Sequence, residues 1–216
     1  MATRPDAHAY ENPRPEVAAM VPAGRRRILD LGCSSGALGA ALKARDGCEV
    51  VGVERDPLFA ERAAQRLDRV VVADLDAPLP DDLGTFDCLI AADVLEHLRD
   101  PWGVLAQAVT RVEPGGYVVV SLPNIRHWSA LWTIARHGTF PRAAQGIFDA
   151  THLRWFTLAD AIGLLEQAGV EHEAVHRQLR LGSHYHDVRD RRIAWLRRTP
   201  LRAFLTYQNV LRGRRR

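Results

Sequence analysis

Cysteine is scarce in this chain of 216 residues: Cys33, Cys48 and Cys88 are the only three, with no C-x-x-C among them. An odd count without paired spacing argues against a disulfide frame and a cysteine zinc site, and suits a reducing compartment. Each thiol is expected as a small buried hydrophobe, and no metal site is expected. No apolar run reaches the length of a membrane helix, and Met1-Ala2-Thr3-Arg4-Pro5-Asp6 holds no signal-peptide core, so a cytoplasmic protein is expected. Repeats and low-complexity tracts are missing as well. Charge imbalance is small, +3 from 29 basic and 26 acidic side chains, which is low for a nucleic-acid enzyme. With 47% apolar residues the chain can bury one α/β core without a second. Residues 1–216 are therefore read as one domain.

What is there is a series of apolar runs that end in acids. Arg27-Ile28-Leu29-Asp30-Leu31-Gly32-Cys33-Ser34-Ser35-Gly36 reads as a buried strand, then a glycine turn that opens a helix. A dinucleotide fingerprint would want G-x-G-x-x-G to seat a pyrophosphate, but Ser34 and Ala37 stand where its second and third glycines belong. Ser34 still permits close approach of a ligand, while a serine is expected to limit positive φ there. Glu49 to Glu54 is a second apolar run, and Glu54 lies 22 positions after Gly32, where an acid can accept both hydroxyls of a ribose. Val70 to Leu75 carries Asp74 at its exit. Phe86-Asp87-Cys88-Leu89-Ile90-Ala91-Ala92-Asp93-Val94-Leu95-Glu96-His97-Leu98 is a fourth run, and Pro114 to Asn124 a turn and a fifth. None of the five alternates, as strands buried on both faces should not. Helical segments between them predict a mainly parallel sheet with right-handed crossovers.

Punctuation supports this. Asp56-Pro57 and Asp100-Pro101 place a capping acid before a proline at the first helical position. Thr157-Leu158-Ala159-Asp160 is a capping-box variant opening a helix that ends at Ala168-Gly169. A short helix is expected near Pro15 to Met20. Val170 to Val175 and Phe204 to Leu211 are expected as the last strands, with a helix near Val188 to Arg198 between them.

The order D-L-G-x-x-x-G, G-V-E, the acid after strand three, and F-D-x-L-I-A-A-D-V-L-E-H resembles the class I S-adenosylmethionine-dependent methyltransferases. The resemblance implies a Rossmann-like, seven-stranded α/β fold, mostly parallel with an antiparallel C-terminal hairpin, and S-adenosyl-L-methionine as methyl donor. It implies a donor site drawing on Asp30, Gly32, Cys33, Ser34, Gly36, Glu54, Arg55, Asp74, Leu75 and Asp93, with Glu54 on the ribose and Asp74 at the adenine. Tyr10-Glu11-Asn12-Pro13-Arg14-Pro15-Glu16, P-N-x-x-H-W after strand five and D-x-T-H-L-R-x-F-T resemble a bacterial subgroup often met with glycosyltransferases. More loosely they resemble the W-type proteins of methionine biosynthesis. The N-P-P-Y type signature of amino-methylating nucleic-acid and glutamine enzymes is missing after strand four, so a nucleic-acid substrate is disfavoured.

The long connection from about residue 124 to 156 holds three of the five tryptophans and three of the nine histidines. A connection of that length at the carboxyl edge of such a sheet is usually functional, and it is read as the acceptor pocket. Tyr10, Asn124, His127, Trp128 and Arg154 are its expected substrate contacts, Arg154 through a carboxylate, phosphate or sugar acid. His152 and His97 are the candidate bases. His152 is preferred because Asp149 and Arg154 flank it and His97 is open to local capping. The function expected is O- or N-methylation of a small-molecule or glycan-linked acceptor. The alternative is a non-catalytic protein of the same fold that pairs with a biosynthetic enzyme. The arginine-rich tail admits weak peripheral contact with an anionic membrane.

Overall fold

The computed structural model describes residues 11–181, 184–186 and 199–216. The apolar runs become β1 (Arg27–Leu31), β2 (Glu49–Glu54), β3 (Arg69–Val72), β4 (Phe86–Ala92) and β5 (Val112–Pro123), followed by β6 (Val170–Leu181), β7 (His184–His186) and β8 (Thr206–Arg215). The sheet order is β3-β2-β1-β4-β5-β8-β6-β7. β1 to β5 run parallel, and β8 lies antiparallel between β5 and β6. The seven-stranded Rossmann-like arrangement is present, extended by the three-residue β7 at the outer edge. Strand order reverses between β1 and β4, which makes their carboxyl ends the natural ligand crevice.

Successive residues of a strand face opposite ways, and here both faces are covered. Leu29, Leu31, Val51, Val53, Leu89 and Val118 join one core cluster, with Leu105 of α4 (Pro101–Val109) and Leu164 of α6 (Leu158–Gln167). Ile28, Val50, Cys88, Ile90 and Val119 join the other. Its helical partners are Val17 of α1 (Pro15–Ala18), Leu38 and Leu42 of α2 (Ala37–Asp46) and Ala63 of α3 (Pro57–Ala64). Each large side chain so buried contributes roughly 1.5–3 kcal/mol. α5 (Trp128–His137) lies in the long connection, and α7 (Arg202–Leu205) precedes β8. The cysteines are all free and buried.

Helix starts follow the capping residues. Asp56 Oδ1 accepts from Leu58 N at 2.8 Å, and Asp100 Oδ1 from Gly103 N at 3.0 Å. Thr157 and Asp160 form a reciprocal capping box on α6.

Three expectations need correction. β3 is an edge strand, so it is not buried on both faces, and Val72 is 58% exposed. β6 runs on to Leu181, and β8 spans Thr206–Arg215 while Phe204 sits in α7. The basic residues of β8 are no free tail. Arg212 pairs with Glu173 at 3.3 Å, Arg214 donates to Gly115 O at 2.9 Å, and Arg215 donates to Thr110 O at 3.1 Å and to Val112 O. A strand between two neighbours satisfies its backbone in the sheet, and long arginine stems carry their charge to the rim. The helix expected near residues 188 to 198, and the arginines there, lie outside the described residues.

Candidate active site at the carboxyl edge

The turn after β1 needs glycine. Gly32 has φ +67°, and a Cβ there would meet Val94 Cγ2 at 2.7 Å. Gly36, at φ +77°, opens α2. Ser34 also takes positive φ, 50°, contrary to expectation. Its N–H donates to Glu54 Oε2 at 2.9 Å, which holds the turn in that conformation. Glu54 Oε1 accepts from Asp56 N at 2.8 Å, so both carboxylate oxygens are oriented by backbone amides. A carboxylate oxygen has a second lone pair, and these face no other donor among the described residues.

Two polar groups beside this turn are left open. Asp30 is 2% exposed and has no hydrogen-bond donor among the described residues. Burial, with Glu54 adding, pushes its carboxyl up to about 7. Ser34 Oγ is likewise buried without a partner. A buried unpaired carboxylate calls for a cation, and a close-packed turn calls for a ligand that reads backbone. The chemistry fits the ammonium, sulfonium and ribose of the expected methyl donor. Cys33 is buried, its Sγ against Gly52, and burial raises its thiol pKa. Arg55 is exposed at the rim, and Leu75 is buried. Asp74 is exposed and accepts from Asp76 N at 3.0 Å through Oδ1.

Asp93, at φ 54°, is differently occupied. Its carboxylate takes Arg14 Nη1, Gln208 Nε2 and Ser121 Oγ, the last at 3.1 Å. Arg14 also reaches Glu16 at 2.6 Å and Ser121 Oγ at 3.2 Å. The N-terminal segment is thus strapped across the ends of β4, β5 and β8, and Glu11 paired to Arg66 at 2.8 Å ties it to the turn. Asp93 was expected to meet the donor. Its oxygens are instead taken up by the chain's own donors.

Next to this network a 3-10 turn, Leu95–His97, presents Glu96 and His97. Leu153 N and Arg154 N donate to Glu96 O at 2.8 and 3.0 Å, which docks His152 alongside. The His97 and His152 rings meet edge to face, centroids 4.7 Å apart, and His152 Nε2 lies 4.0 Å from Glu96 Oε1. Thr151 Oγ1 donates to Asp149 Oδ1 at 2.7 Å, so its 2.9 Å contact with His97 Nδ1 requires the ring to donate. His152 Nδ1 lies 3.1 Å from Ile147 O, and a carbonyl can only accept. Burial lowers the pKa of both rings; at His97 the charge on His152 adds, with a smaller push from Arg55. In the neutral form both rings therefore keep a lone pair on Nε2. Glu96 is 1% exposed with both oxygens unpartnered, and burial raises its carboxyl to about 8.

The long connection lines the rest of the cleft. A hollow of about 410 Å³ is bounded by Trp128, Thr133, Ile147, Phe148, Arg180 and Tyr207. Trp128 is 43% and Trp132 60% exposed, on a stretch where Arg126, Arg136 and Arg142 are the only formal charges from residue 114 to 148. His127 is buried and caps α5, taking Ser129 N at 3.3 Å while its Nε2 contacts Arg180 O at 3.1 Å. Asn124 spends its amide on Ala203 O at 2.9 Å and Thr206 O at 2.7 Å. Arg154 donates to Leu153 O and Arg99 O. All three were expected to touch substrate. The polar atoms of Asn124 and His127 instead hold the connection to α7, β8 and β6, although His127 also lines the hollow. Arg154 ties the connection to the loop before α4. Tyr10 lies outside the described residues. Two carboxylates flank His152. Glu96 Oε1 lies 4.0 Å from its Nε2, and the charge of Asp149, which also reaches His97 through Thr151, works against burial to raise its pKa. Arg154 is engaged with Leu153 O and Arg99 O. His97 does not cap α4, since Asp100 does. Sequence reasoning missed Glu96, Arg14, Thr151 and Gln208. The signal for Gln208 was a polar pair, Gln208-Asn209, set between the apolar Tyr207 and Val210.

Comparison with known proteins agrees with this geometry. The model of a family described as a methyltransferase domain matches residues 6–175. An uncharacterized methyltransferase of Mycobacterium sp. (strain JLS) is 41% identical over 100 residues, covering 45% of this chain and 39% of that protein. A ubiquinone biosynthesis O-methyltransferase of Aeromonas salmonicida is 28% identical over 175 residues, 73% of this chain and 71% of that one. In fold, the chain matches an S-adenosylmethionine-dependent methyltransferase of Mesorhizobium loti (TM-score 0.65, 23% identity, 93% of this chain and 96% of that one). It also matches the N-methyltransferase NodS of Bradyrhizobium japonicum, solved with S-adenosyl-L-homocysteine (TM-score 0.61, 16% identity, 93% and 84%). The chain belongs to the methyltransferase domain family, in the class I fold that takes S-adenosyl-L-methionine as its methyl donor.

Proposed function

We propose that this enzyme methylates a hydroxyl oxygen of a small-molecule or glycan-linked acceptor. The observation that supports this most is the pair His97 and His152, each with Nδ1 tied up and Nε2 keeping its lone pair, set beside the unpartnered Glu96. An alcohol must shed a proton when its oxygen is methylated, whereas a neutral amine attacks without a base. The donor's sulfonium supplies an already activated methyl, so the chain's share is to set the acceptor oxygen in line with it and to relieve it of the proton. Asp30 would hold the donor's ammonium, Glu54 its ribose hydroxyls, Asp74 its adenine amino group, and Gly32 would let it lie against backbone. The acceptor's body would rest in the hollow at Trp128 and Tyr207, which borders the histidine pair through Ile147. The name O-methyltransferase carried by several relatives points the same way.

The test is transfer of a labelled methyl from S-adenosyl-L-methionine to matched panels of hydroxyl, amine and thiol acceptors. Label is expected on hydroxyls. Labelled amines with untouched hydroxyls would overturn the reading.

A further inference from the structure

Glu96, His97 and His152 offer one ligand atom each, all within 4.8 Å of one another. We propose that these three residues form a binding site for a divalent transition-metal ion, which holds the acceptor's hydroxyl beside the methyl donor. The ion's role rests on the hydroxyl-methylating reading; the site itself does not.

Four observations converge. Glu96 is 1% exposed and neither oxygen has a partner, which leaves an acceptor-only group in a dry place. The nitrogen nearest to it, Nε2 of His152 at 4.0 Å, carries a lone pair in the neutral ring, because Nδ1 holds the proton for Ile147 O. His97 has its proton on Nδ1 as well, donated to Thr151 and backed by Asp149. Three lone-pair donors thus converge with no hydrogen to share, an arrangement that repels itself until a proton or cation enters. Finally, both imidazoles give their far N–H to a backbone carbonyl or a carboxylate-backed hydroxyl, the support that orients and strengthens histidine ligands.

Two imidazoles and one carboxylate select a first-row transition ion over magnesium or calcium, which prefer oxygen. In a closed site the ligand atoms would stand about 3–3.4 Å apart, given metal–nitrogen bonds of about 2.0–2.1 Å. Side-chain rotation of about 1 Å closes the present spacing. Three protein ligands leave positions open, the mark of a catalytic rather than a structural ion. One open position would take the acceptor oxygen. With the ion bound, the two Nε2 lone pairs are ligands rather than bases: coordination instead lowers that hydroxyl's pKa, its proton passes to solvent water, and the oxygen's electron pair attacks the methyl carbon as the carbon–sulfur bond breaks. Asp93 precedes Glu96 by three residues but is held by Arg14, Ser121 and Gln208, which keeps it out of the ligand set.

The experiment is a titration of chelator-treated full-length protein with Co²⁺, read by visible absorption, and with Zn²⁺, read by calorimetry. One equivalent is expected to bind with micromolar or tighter affinity. Glu96→Gln and His152→Asn should each weaken it at least tenfold, and Thr151→Val, which removes only the support of His97, by about 10–100-fold. Absence of saturable binding, or equal binding in the variants, overturns the site. Above pH 8, where the carboxyl of the metal-free protein is ionised, Glu96→Gln also removes a buried unpaired charge, so it should melt above the parent there and lose the metal-induced rise. S-adenosyl-L-homocysteine affinity, measured on the same samples, separates the two readings. A protein that binds Co²⁺ but not the nucleoside keeps the site and loses the methyltransferase function, while the converse loses the site alone.

Discussion

The two ends of the cleft are built differently. At the donor end the working groups come from neighbouring β–α units: Gly32 to Gly36 form one turn, and Glu54 is fixed by Ser34 N and Asp56 N, 20 and 2 positions away. At the acceptor end the groups arrive from across the chain. Thr151 meets His97 over 54 positions, and Gln208 meets Asp93 over 115. The apolar exposure differs too, with Trp128, Trp132, Phe140 and Trp155 all between 38% and 60% exposed on one side. Chemistry shared by a whole family can be encoded in a short turn, because every member binds the same donor. Selection of an acceptor is left to packing between distant segments, which also leaves polar and apolar surface for that ligand to complete.

If this division is right, substitutions at the two ends should separate into turnover effects and donor-affinity effects. The largest effect is expected for His152→Ala, with turnover down about 10²–10⁴-fold and S-adenosyl-L-homocysteine affinity unchanged, because the ring either takes the acceptor's proton itself or helps hold the ion that acidifies it. Near-normal turnover from pH 6 to 9 would make His152 a packing residue and erase the distinction. Next comes Glu54→Ala, which should forfeit on the order of 2–4 kcal/mol of donor affinity by calorimetry, with turnover at saturating donor nearly kept. Glu54→Gln should fall between, since an amide oxygen still accepts; an unchanged affinity in both would sink the ribose assignment.

The smallest expected effect puts both ends on one scale. Asp30 rises from 3.8 to about 7 on folding and Glu96 from 4.5 to about 8, so each binds its proton more tightly in the folded state. Stability of the ligand-free protein should therefore fall as pH climbs from about 4 through 7 for Asp30 and through 8 for Glu96, then level off. Urea denaturation at pH 5 and pH 8 should show Asp30→Asn and Glu96→Gln each flattening part of that slope. A slope untouched by either would mean the two carboxylates are solvated or paired in solution.

Much of this was legible in the residues. Apolar runs bounded by glycine and proline located β1 to β5, Asp56-Pro57 and Asp100-Pro101 located two helix starts, and the Asp30 to Gly36 turn with Glu54 outlined the donor end. These features act over a few residues, through periodicity, capping and the φ that glycine allows, so the linear chain carries them in full. β8 was harder, because Arg212, Arg214 and Arg215 read as a charged tail until Glu173 and the carbonyls of Thr110 and Gly115 are placed beside them. Asn124, His127 and Arg154 looked free for a ligand for the same reason: whether a polar side chain is already satisfied depends on neighbours that only packing supplies. Only the tertiary structure could decide that Asp93 is taken, that Glu96 is buried without a partner, and that His97 and His152 face it with their lone pairs. Propensity is local, while the satisfaction of a buried polar group is a property of the whole fold.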